Sequence, residues 1–597
     1  MCGIIGFFGS PCPELESRYL PLLQHRGPDA SGVIHGKNFS FGHTRLSILG
    51  LSDGDQPVSD AEGNVLVYNG EIYNCHQLQK EFLPTNFRSD SRILFELLKT
   101  QGHRILPRLR GMFAFAYLQG NTNTLLLARD PFGMKPLYVH RSAGVLSFSS
   151  ELKALGDMGL DWDGFEEYLY FSNPLPGSTL YRNTEEVKAG EYWSFNGKSL
   201  CRNRFFQLKE IFETKISAPS ELSSALETSL RAHILSDVPV GLLLSGGMDS
   251  SSLALAANKT GVPLRAYNLA YEDPDFDESP IASRLADYLG MEMEVIPFSG
   301  QSLREELEEA LAAMDQPFGD PSFLPTYQLS RSVAKKGKVV LGGDGGDEIF
   351  YGYPTFQAEA FLQNTPSFLL PLIYSLSSSM GRVSSARVDL REKMLRFSWG
   401  RNLTALQRHS RYMCSGFIGD LPDDFFPAIH KKMKCLLEEE GLGESNFWEP
   451  VFFYYFRIYL ANLVLVKTDR ASMANSLEVR CPFLDVDFIK EVFRYPGSGF
   501  PVFEKPKQTL RNYLKDSIPA HLLHFQKKGF STPLQLILPI LEQVLMDRHN
   551  LKFPRLHSLQ KTAPYWLYNM LVFLYFHPEE QAMERLRLAA RRTTPGN

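Results

Sequence analysis

Cys2 directly follows the initiator methionine, in the opening run Met1-Cys2-Gly3-Ile4-Ile5-Gly6. Removing Met1 leaves a thiol and a free α-amine on one residue, and an amine titrating near ~7.7–8.0 is a base for that thiol at neutral pH. By itself Cys2 reads as a small residue at the start of a strand. Four further segments change that balance: His25-Arg26-Gly27-Pro28-Asp29, Gly42-His43-Thr44-Arg45-Leu46-Ser47-Ile48, Tyr68-Asn69-Gly70-Glu71-Ile72-Tyr73-Asn74 and Ser89-Asp90-Ser91. Singly, Asn69-Gly70 is a hairpin turn and each arginine a solvated face. Together they supply what amide hydrolysis at a thiol requires. Arg45 can grip a carboxylate with its planar fork, and Asp90 can hold an ammonium. The Asn69 side-chain amide and the Gly70 N–H can stabilise a tetrahedral oxyanion.

A second group of residues is suited to phosphate. Gly241-Leu242-Leu243-Leu244-Ser245-Gly246-Gly247-Met248-Asp249-Ser250-Ser251 reads as strand, glycine turn and helix start. Unsatisfied N–H groups at a helix N-terminus attract phosphate, glycines let the backbone approach, and the Ser245 and Ser250 hydroxyls add donors. No lysine follows the glycines as in a Walker loop, and the dinucleotide Gly-x-Gly-x-x-Gly fingerprint is absent here. Further on, Gly342-Gly343-Asp344-Gly345-Gly346-Asp347-Glu348 packs four glycines and two aspartates into six residues. That composition suits a loop facing phosphate through a metal, since Mg²⁺ takes one or two carboxylates plus phosphate oxygens. The alternate acidic spacing and terminal Glu of a calcium loop are missing.

The elements that must position these groups fall into two textures. Over the first ~200 residues, short apolar runs (Gly3–Phe8, Phe39–Leu49, Val65–Tyr68, Met112–Leu118, Thr124–Ala128) are split by turn residues. They predict antiparallel strands, with helices at Arg92–Thr100 and Trp162–Phe171 and an α+β domain of packed sheets. From about Ser217, strands at Val238–Leu244, Leu264–Leu269, Glu292–Ile296 and Val339–Leu341 alternate with helices at Ala218–Leu235, Ser250–Asn258, Ser279–Leu289, Leu303–Met314 and Pro325–Lys336. This alternation predicts a doubly wound parallel sheet. Beyond Tyr351 the pattern is helical, with a loop-rich excursion between Asn364 and Ser385. The expected domains are residues 1–205 and 215–585, joined near 200–216 and followed by a flexible basic tail at 586–597.

Composition narrows the function classes. The chain has 597 residues, a net charge of −5, 44% hydrophobic and 22% charged residues, as ordinary globular proteins do. With a pI near 6.3, nucleic acid is not an expected partner. Seven cysteines with no Cys-x-x-Cys pair favour neither a zinc cage nor a full disulfide framework. The N-terminus lacks the features of a signal peptide, and the apolar tracts Val451–Val466 and Tyr565–Phe576 are too short or carry Arg457. A cytoplasmic protein that does not engage membranes is the expectation.

At this point a resemblance is plain. Met-Cys-Gly-Ile-Ile-Gly, Arg-Gly-Pro-Asp, Tyr-Asn-Gly-Glu-Ile-Tyr-Asn and Ala128-Arg129-Asp130-Pro131-Phe132-Gly133-Met134-Lys135-Pro136-Leu137-Tyr138 resemble the glutaminase domain of class II amidotransferases. The resemblance implies a four-layer αββα N-terminal-nucleophile fold, in which Cys2 attacks the glutamine side-chain amide, forms a thioester and releases ammonia. Cys2, Arg45, Asn69, Gly70, Glu71 and Asp90 would line the glutamine site. Ser245–Ser250 is similar to the loop of ATP pyrophosphatases. That likeness places ATP at Leu244, Ser245, Gly246, Gly247, Asp249, Ser250, Leu269, Gly342 and Gly343, with Asp249 and Asp347 sharing Mg²⁺.

The run Lys467-Thr468-Asp469-Arg470 through Pro482-Phe483-Leu484-Asp485 resembles the signature of glutamine-hydrolysing asparagine synthetases. Gln526-Lys527-Lys528-Gly529-Phe530 resembles their lysine loop, where Lys527 would neutralise phosphate charge as AMP leaves. The implied reaction converts glutamine, ATP and an acceptor carboxylate into glutamate, AMP, pyrophosphate and an amide. Aspartate is the implied acceptor. Three departures keep another carboxylate open, such as a sugar acid, a peptide or a secondary-metabolite precursor. Asp344, a candidate catalytic base or ligand, stands where many members have the longer Glu, Phe525 where one branch has Arg, and Ala270 where Gly is common. The family also implies a homodimer and a mainly apolar ammonia passage, for which Met112–Leu118 and Val145–Phe148 have the composition. A phosphoribosyl amidotransferase would share Cys2, but the Ser-Gly-Gly-Met-Asp-Ser loop argues against it. A non-catalytic scaffold would have no need to keep Cys2, Arg45, Asn69, Asp249 and Asp347 together.

Overall fold

A computed structural model describes residues 2–213, 221–298, 303–366, 368–379, 394, 397, 403–414, 425–445, 447–494, 505–523, 534–550 and 564–579. Met1, Phe525, Lys527 and the tail 586–597 lie outside the described residues, as do 218–220 at the start of one expected helix.

The expected short strands form two stacked antiparallel sheets. In one, the order is Thr184–Glu186, Tyr138–Ser142, Val145–Ser149, Cys2–Phe8, Phe39–Arg45, Ala30–His35. In the other it is Leu200–Arg204, Glu191–Phe195, Thr124–Arg129, Gly111–Gln119, Val65–Ile72, Val58–Ser59. Period-two alternation explains the layering. Along Gly111–Gln119, Ala114, Ala116 and Leu118 join Ile4, Phe8, Phe41 and Phe148 between the sheets. Phe113, Phe115 and Tyr117 turn the other way, toward Ile93, Leu94 and Leu97 of the helix Asp90–Gln101. Both faces are therefore buried, which is why Met112–Leu118 reads as an unbroken apolar run. Ile5, on the outer face of the first sheet, packs under Leu15, Leu20 and Leu23. Short wide and tight turns, Leu15–Tyr19 and Leu20–Arg26, form much of that cover.

The third sheet is parallel. Its order is Met293–Pro297, Arg265–Ala270, Val240–Leu243, Val339–Leu341, Glu478–Arg480. Numbered along the chain, that order is 3-2-1-4-5. The strand order reverses beside the first strand, and ligands of such sheets bind at the carboxyl ends of the strands there. Two elements differ from the sequence expectation. The last strand is only three residues long in a region read as helical, and its pairing with Val339–Leu341 defines it. The supposed loop-rich stretch after Asn364 holds the helix Leu369–Ser379. There the Ser377 hydroxyl turns back onto the Ile373 carbonyl (2.7 Å), so its polar group is satisfied without breaking the helix.

The apolar tract around Val451–Val466 belongs to a helix, Trp448–Met473, long and apolar enough to cross a bilayer by composition. It runs through the protein interior, with 78% of its most apolar window buried. Arg457 within it is paired with Glu440 (2.7 Å) and donates to the Pro131 carbonyl (2.6 Å).

Candidate active site

Cys2 begins a central strand and lies opposite Arg45 on the neighbouring one. Its N–H donates to Asn69 Oδ1 at 3.1 Å, which fixes the direction of the Asn69 amide. Asn69 is 0% exposed, and among the described residues its Nδ2 has no hydrogen-bond partner. A buried amide donor left open beside a thiol has the chemistry an oxyanion needs. Burial pushes the Cys2 thiol above its ordinary range, so the nucleophile requires a base.

Asn69-Gly70 is not a hairpin turn; both residues sit inside the strand Val65–Ile72, opposite Ala114 and Phe113. Gly70 is required by close approach. A Cβ there would lie 2.1 Å from the Met112 carbonyl oxygen and 2.7 Å from Phe113 Cα. Gly70→Ala is therefore expected to cost about 1–3 kcal/mol or more of stability through overpacking, read as a lowered denaturation midpoint.

The other residues expected around glutamine converge here. Arg45 is nearly buried and bonds Asp55 Oδ1 (2.8 Å) and the Gly50 carbonyl (2.7 Å). The Asp55 side chain is 84% exposed, so this contact is weak and easily exchanged for another carboxylate. Asp90 Oδ2 accepts from Tyr68 Oη at 2.7 Å and from the Ile72 N–H at 3.2 Å. Glu71 is buried two residues from Asn69. Burial, with the Asp90 charge adding to it, holds the Glu71 carboxyl well above the usual range.

The glycine loops meet at the reversal point of the parallel sheet. Val240–Leu243 runs into Leu244–Gly247 and the helix Met248–Thr260. The Ser245 N–H donates to Ser250 Oγ (3.2 Å) and the Gly247 N–H to Ser245 Oγ (3.2 Å). Leu269 lies one residue before the end of the adjacent strand, and Asn268 Nδ2 donates to the Leu244 carbonyl (2.7 Å). From the other side, a Cβ on Gly346 would lie 2.5 Å from Asp249 Oδ1, and one on Gly343 would lie 3.1 Å from Asp249 Cβ. The glycines of the second loop thus let it close on Asp249.

Asp249 and Asp347 come together, as expected for shared metal ligands. The Lys507 ammonium bridges them, bonding Asp249 Oδ2 and Asp347 Oδ1, the latter at 2.7 Å. Burial opposes the charge on Lys507, but the two carboxylates prevail and raise its pKa. The pair is thus a built cation position, and it fits Mg²⁺ arriving with phosphate oxygens. Among the described residues no cluster of three or more His, Cys, Asp or Glu could hold an ion alone. Asp344 accepts from Thr468 Oγ1 at 2.8 Å.

A buried set of charges links the two centres. Arg26 Nε donates to the Cys2 carbonyl (3.1 Å), Nη1 to Glu151 (2.9 Å) and Nη2 to Asp469 Oδ2 (2.9 Å). Lys135 pairs with Asp469 Oδ1 at 3.1 Å. Burial opposes the charge on Asp469, but Arg26 and Lys135 hold its carboxyl below the usual range. Asp469 adjoins Thr468 and hence Asp344. Met112–Leu118 and Val145–Phe148 pack within the sandwich, Phe148 between its two sheets. Sequence reading missed the parts played by Arg26, Asp469, Arg480 and Lys507. Arg26, Asp469 and Arg480 each stood in a flagged motif, whereas Lys507, in Lys505-Pro506-Lys507, belongs to none of the motifs read above.

Comparison with known proteins agrees with this two-part layout. A glutamine amidotransferase domain model matches residues 1–206, and an asparagine synthase model matches residues 221–560. The chain is 29% identical to asparagine synthetase (glutamine-hydrolyzing) 1 of Bacillus subtilis, over 90% of this chain and 87% of that one. It is 26% identical to asparagine synthetase (glutamine-hydrolyzing) 3 of the same organism, over 89% and 87%. It is also 28% identical to the amidase chyE of Penicillium rubens, over 89% of each chain. By its sequence and by the arrangement of its domains, the chain belongs to the asparagine synthase family and is a glutamine-dependent carbon–nitrogen ligase of that type.

Proposed function

We propose that the enzyme converts aspartate to asparagine by two reactions at the two centres described above. After loss of Met1, the Cys2 amine takes the thiol proton and the sulfur attacks the glutamine side-chain carbonyl. Arg45 and Asp90 hold the glutamine carboxylate and ammonium, while Asn69 Nδ2 and the Gly70 N–H carry the oxyanion. The C–N bond breaks, ammonia leaves, and water hydrolyses the thioester to glutamate.

At the other centre the aspartate side-chain carboxylate attacks the α-phosphorus of ATP and expels pyrophosphate. The acyl-adenylate then gives up AMP as ammonia forms the amide. Leu244–Gly247, Ser250, Gly342 and Gly343 hold the nucleotide, with Leu269 beside it. Asp249 and Asp347 would hold Mg²⁺, which neutralises phosphate charge when bound. Asp344 serves as base or ligand at the acyl centre, and Lys527 is the proposed cation for the departing phosphates.

The observation that supports this reading is the short buried link Cys2–Arg26–Asp469, with Thr468 beside it touching Asp344. On this reading ammonia made at Cys2 passes to the acyl centre without entering bulk water, where it would protonate. None of the seven cysteines is paired, in keeping with action in a reducing cytoplasm; the family resemblance further implies a homodimer.

A second acceptor is favoured by one specific feature. Asp344 is one methylene shorter than the Glu common in the family, and Thr468 holds it, so it reaches less far into the acyl site. A larger carboxylate would make up for that shorter reach. The test is pyrophosphate release from ATP and ammonium with aspartate, other amino acids, peptides and uronic acids. The primary reading expects the highest kcat/KM with aspartate. Preference for a uronic acid or a peptide would replace aspartate with that acceptor.

A further inference from the structure

Arg480 stands apart among the buried ions because it touches both centres, one through its side chain and the other through its backbone. Its guanidinium is 0% exposed. Nε bonds Glu478 Oε1 (2.5 Å), and Nη1 donates to the carbonyls of His233 (2.8 Å) and Leu235 (2.7 Å). Nη2 reaches across the domain boundary to Glu71 Oε2 at 3.2 Å, and the guanidinium carbon lies 5.7 Å from the centre of the Tyr73 ring. Glu71 follows Asn69 and Gly70 on the same strand. In the backbone, the Arg480 carbonyl accepts from the Gly342 N–H at 2.8 Å, the first residue of the second glycine loop. Arg480 is also in register with Leu341, and Glu478 N–H donates to the Lys338 carbonyl (2.8 Å). The three-residue strand is thus anchored at both ends to the strand that carries the loop.

We propose that Arg480 is a positioning residue that couples the two centres: occupation of the loop at Gly342 is transmitted through Arg480 to Glu71 and the Asn69-Gly70 oxyanion donors. Nε and Nη1 pin the guanidinium to Glu478 and to two backbone carbonyls, while Nη2, with no hydrogen bond among the described residues, faces Glu71 Oε2 as an ion contact. Movement of the Gly342 amide toward phosphate displaces the Arg480 carbonyl, and with it shifts how Nη2 of the same residue meets Glu71. Because Asn69 and Gly70 act on the tetrahedral state, the response belongs in kcat for glutamine hydrolysis more than in KM. The inference rests on the two-centre reading above and adds how one centre senses the other.

The experiment measures glutamate release from glutamine by the full-length protein, with and without saturating Mg²⁺ and the non-cleavable analogue α,β-methylene ATP. In the wild type the analogue is expected to change kcat by about fivefold or more. Arg480→Lys keeps the charge that pairs with Glu478 and faces Glu71 but cannot fork. Its response should fall to within about twofold of none, while ammonia-dependent amide formation and the melting temperature stay near wild type. An unresponsive wild type, or Arg480→Lys with the full response, would overturn the proposal.

Should Arg480→Lys fail to fold, hydrogen exchange on the wild type decides the question. The analogue must alter protection at Asn69–Tyr73, and unchanged protection there also overturns the coupling. A wild type that responds to the analogue yet makes no amide from ammonia would contradict the two-centre reading and leave the coupling standing.

Discussion

Cys2→Ala is expected to lower glutamine-dependent amide formation by about a thousandfold or more, since the nucleophile acts as a unit with its oxyanion donors and base. Ammonia-dependent formation should stay within about threefold of wild type, because added ammonia needs no thiol and the contacts that join Cys2 to the second centre are backbone contacts. The structure supports that separation. Cys2 touches the rest of the link through its carbonyl, which accepts from Arg26, and its N–H donates to Asn69. Alanine keeps both backbone groups and fits a site already closed to water, so the ion set around Asp469 survives. The measurement is product amide formed from glutamine and, separately, from ammonium. Equal loss of both would mean that the thiol serves the synthetase chemistry as well.

Asp249→Asn is the mirror case. Asparagine is nearly isosteric but removes one of the two charges that meet at Lys507. Lys507 keeps Asp347, so the fold is retained, while the cation position loses the second carboxylate that a phosphate-bound Mg²⁺ would use. Exchange of labelled pyrophosphate into ATP is expected to fall by about a hundredfold or more. Glutamine hydrolysis without nucleotide should stay within about twofold. Unchanged exchange would remove Asp249 from the metal role.

Much of this layout is legible in the sequence because the relevant signals are local. Gly-rich loops between a strand and a helix announce the parallel sheet, and Val339–Leu341 is found with its observed bounds. Short apolar runs split by turn residues announce the packed antiparallel sheets. What escaped depends on partners far along the chain. Glu478–Arg480 is a strand because of residues 339–341, more than a hundred positions earlier. Asn69-Gly70 looks like a turn in any local window, and only the facing carbonyl of Met112 shows why glycine is needed within a strand.

The content of the domain interface was also hidden. The apolar runs Met112–Leu118 and Val145–Phe148 fill the sandwich, and Arg26, Lys135, Glu151 and Asp469 form a buried set that links the centres. Each of these would be costly to bury alone. They are tolerated as mutually hydrogen-bonded sets, and such sets are assembled by folding from separate motifs. Burial opposes the charge on Glu151, but His25, Lys153 and Arg26 hold its carboxyl well below the usual range.

The most direct test follows the nitrogen. The wild type is given glutamine labelled with ¹⁵N in the side-chain amide, together with ATP, the acceptor and a large excess of unlabelled ammonium at neutral pH. If nitrogen passes from Cys2 to the acyl centre within the protein, the product amide carries the label in nearly full measure. If ammonia escapes and returns from solution, the label is diluted to the isotopic composition of the bulk ammonium, and the linked two-centre mechanism is wrong.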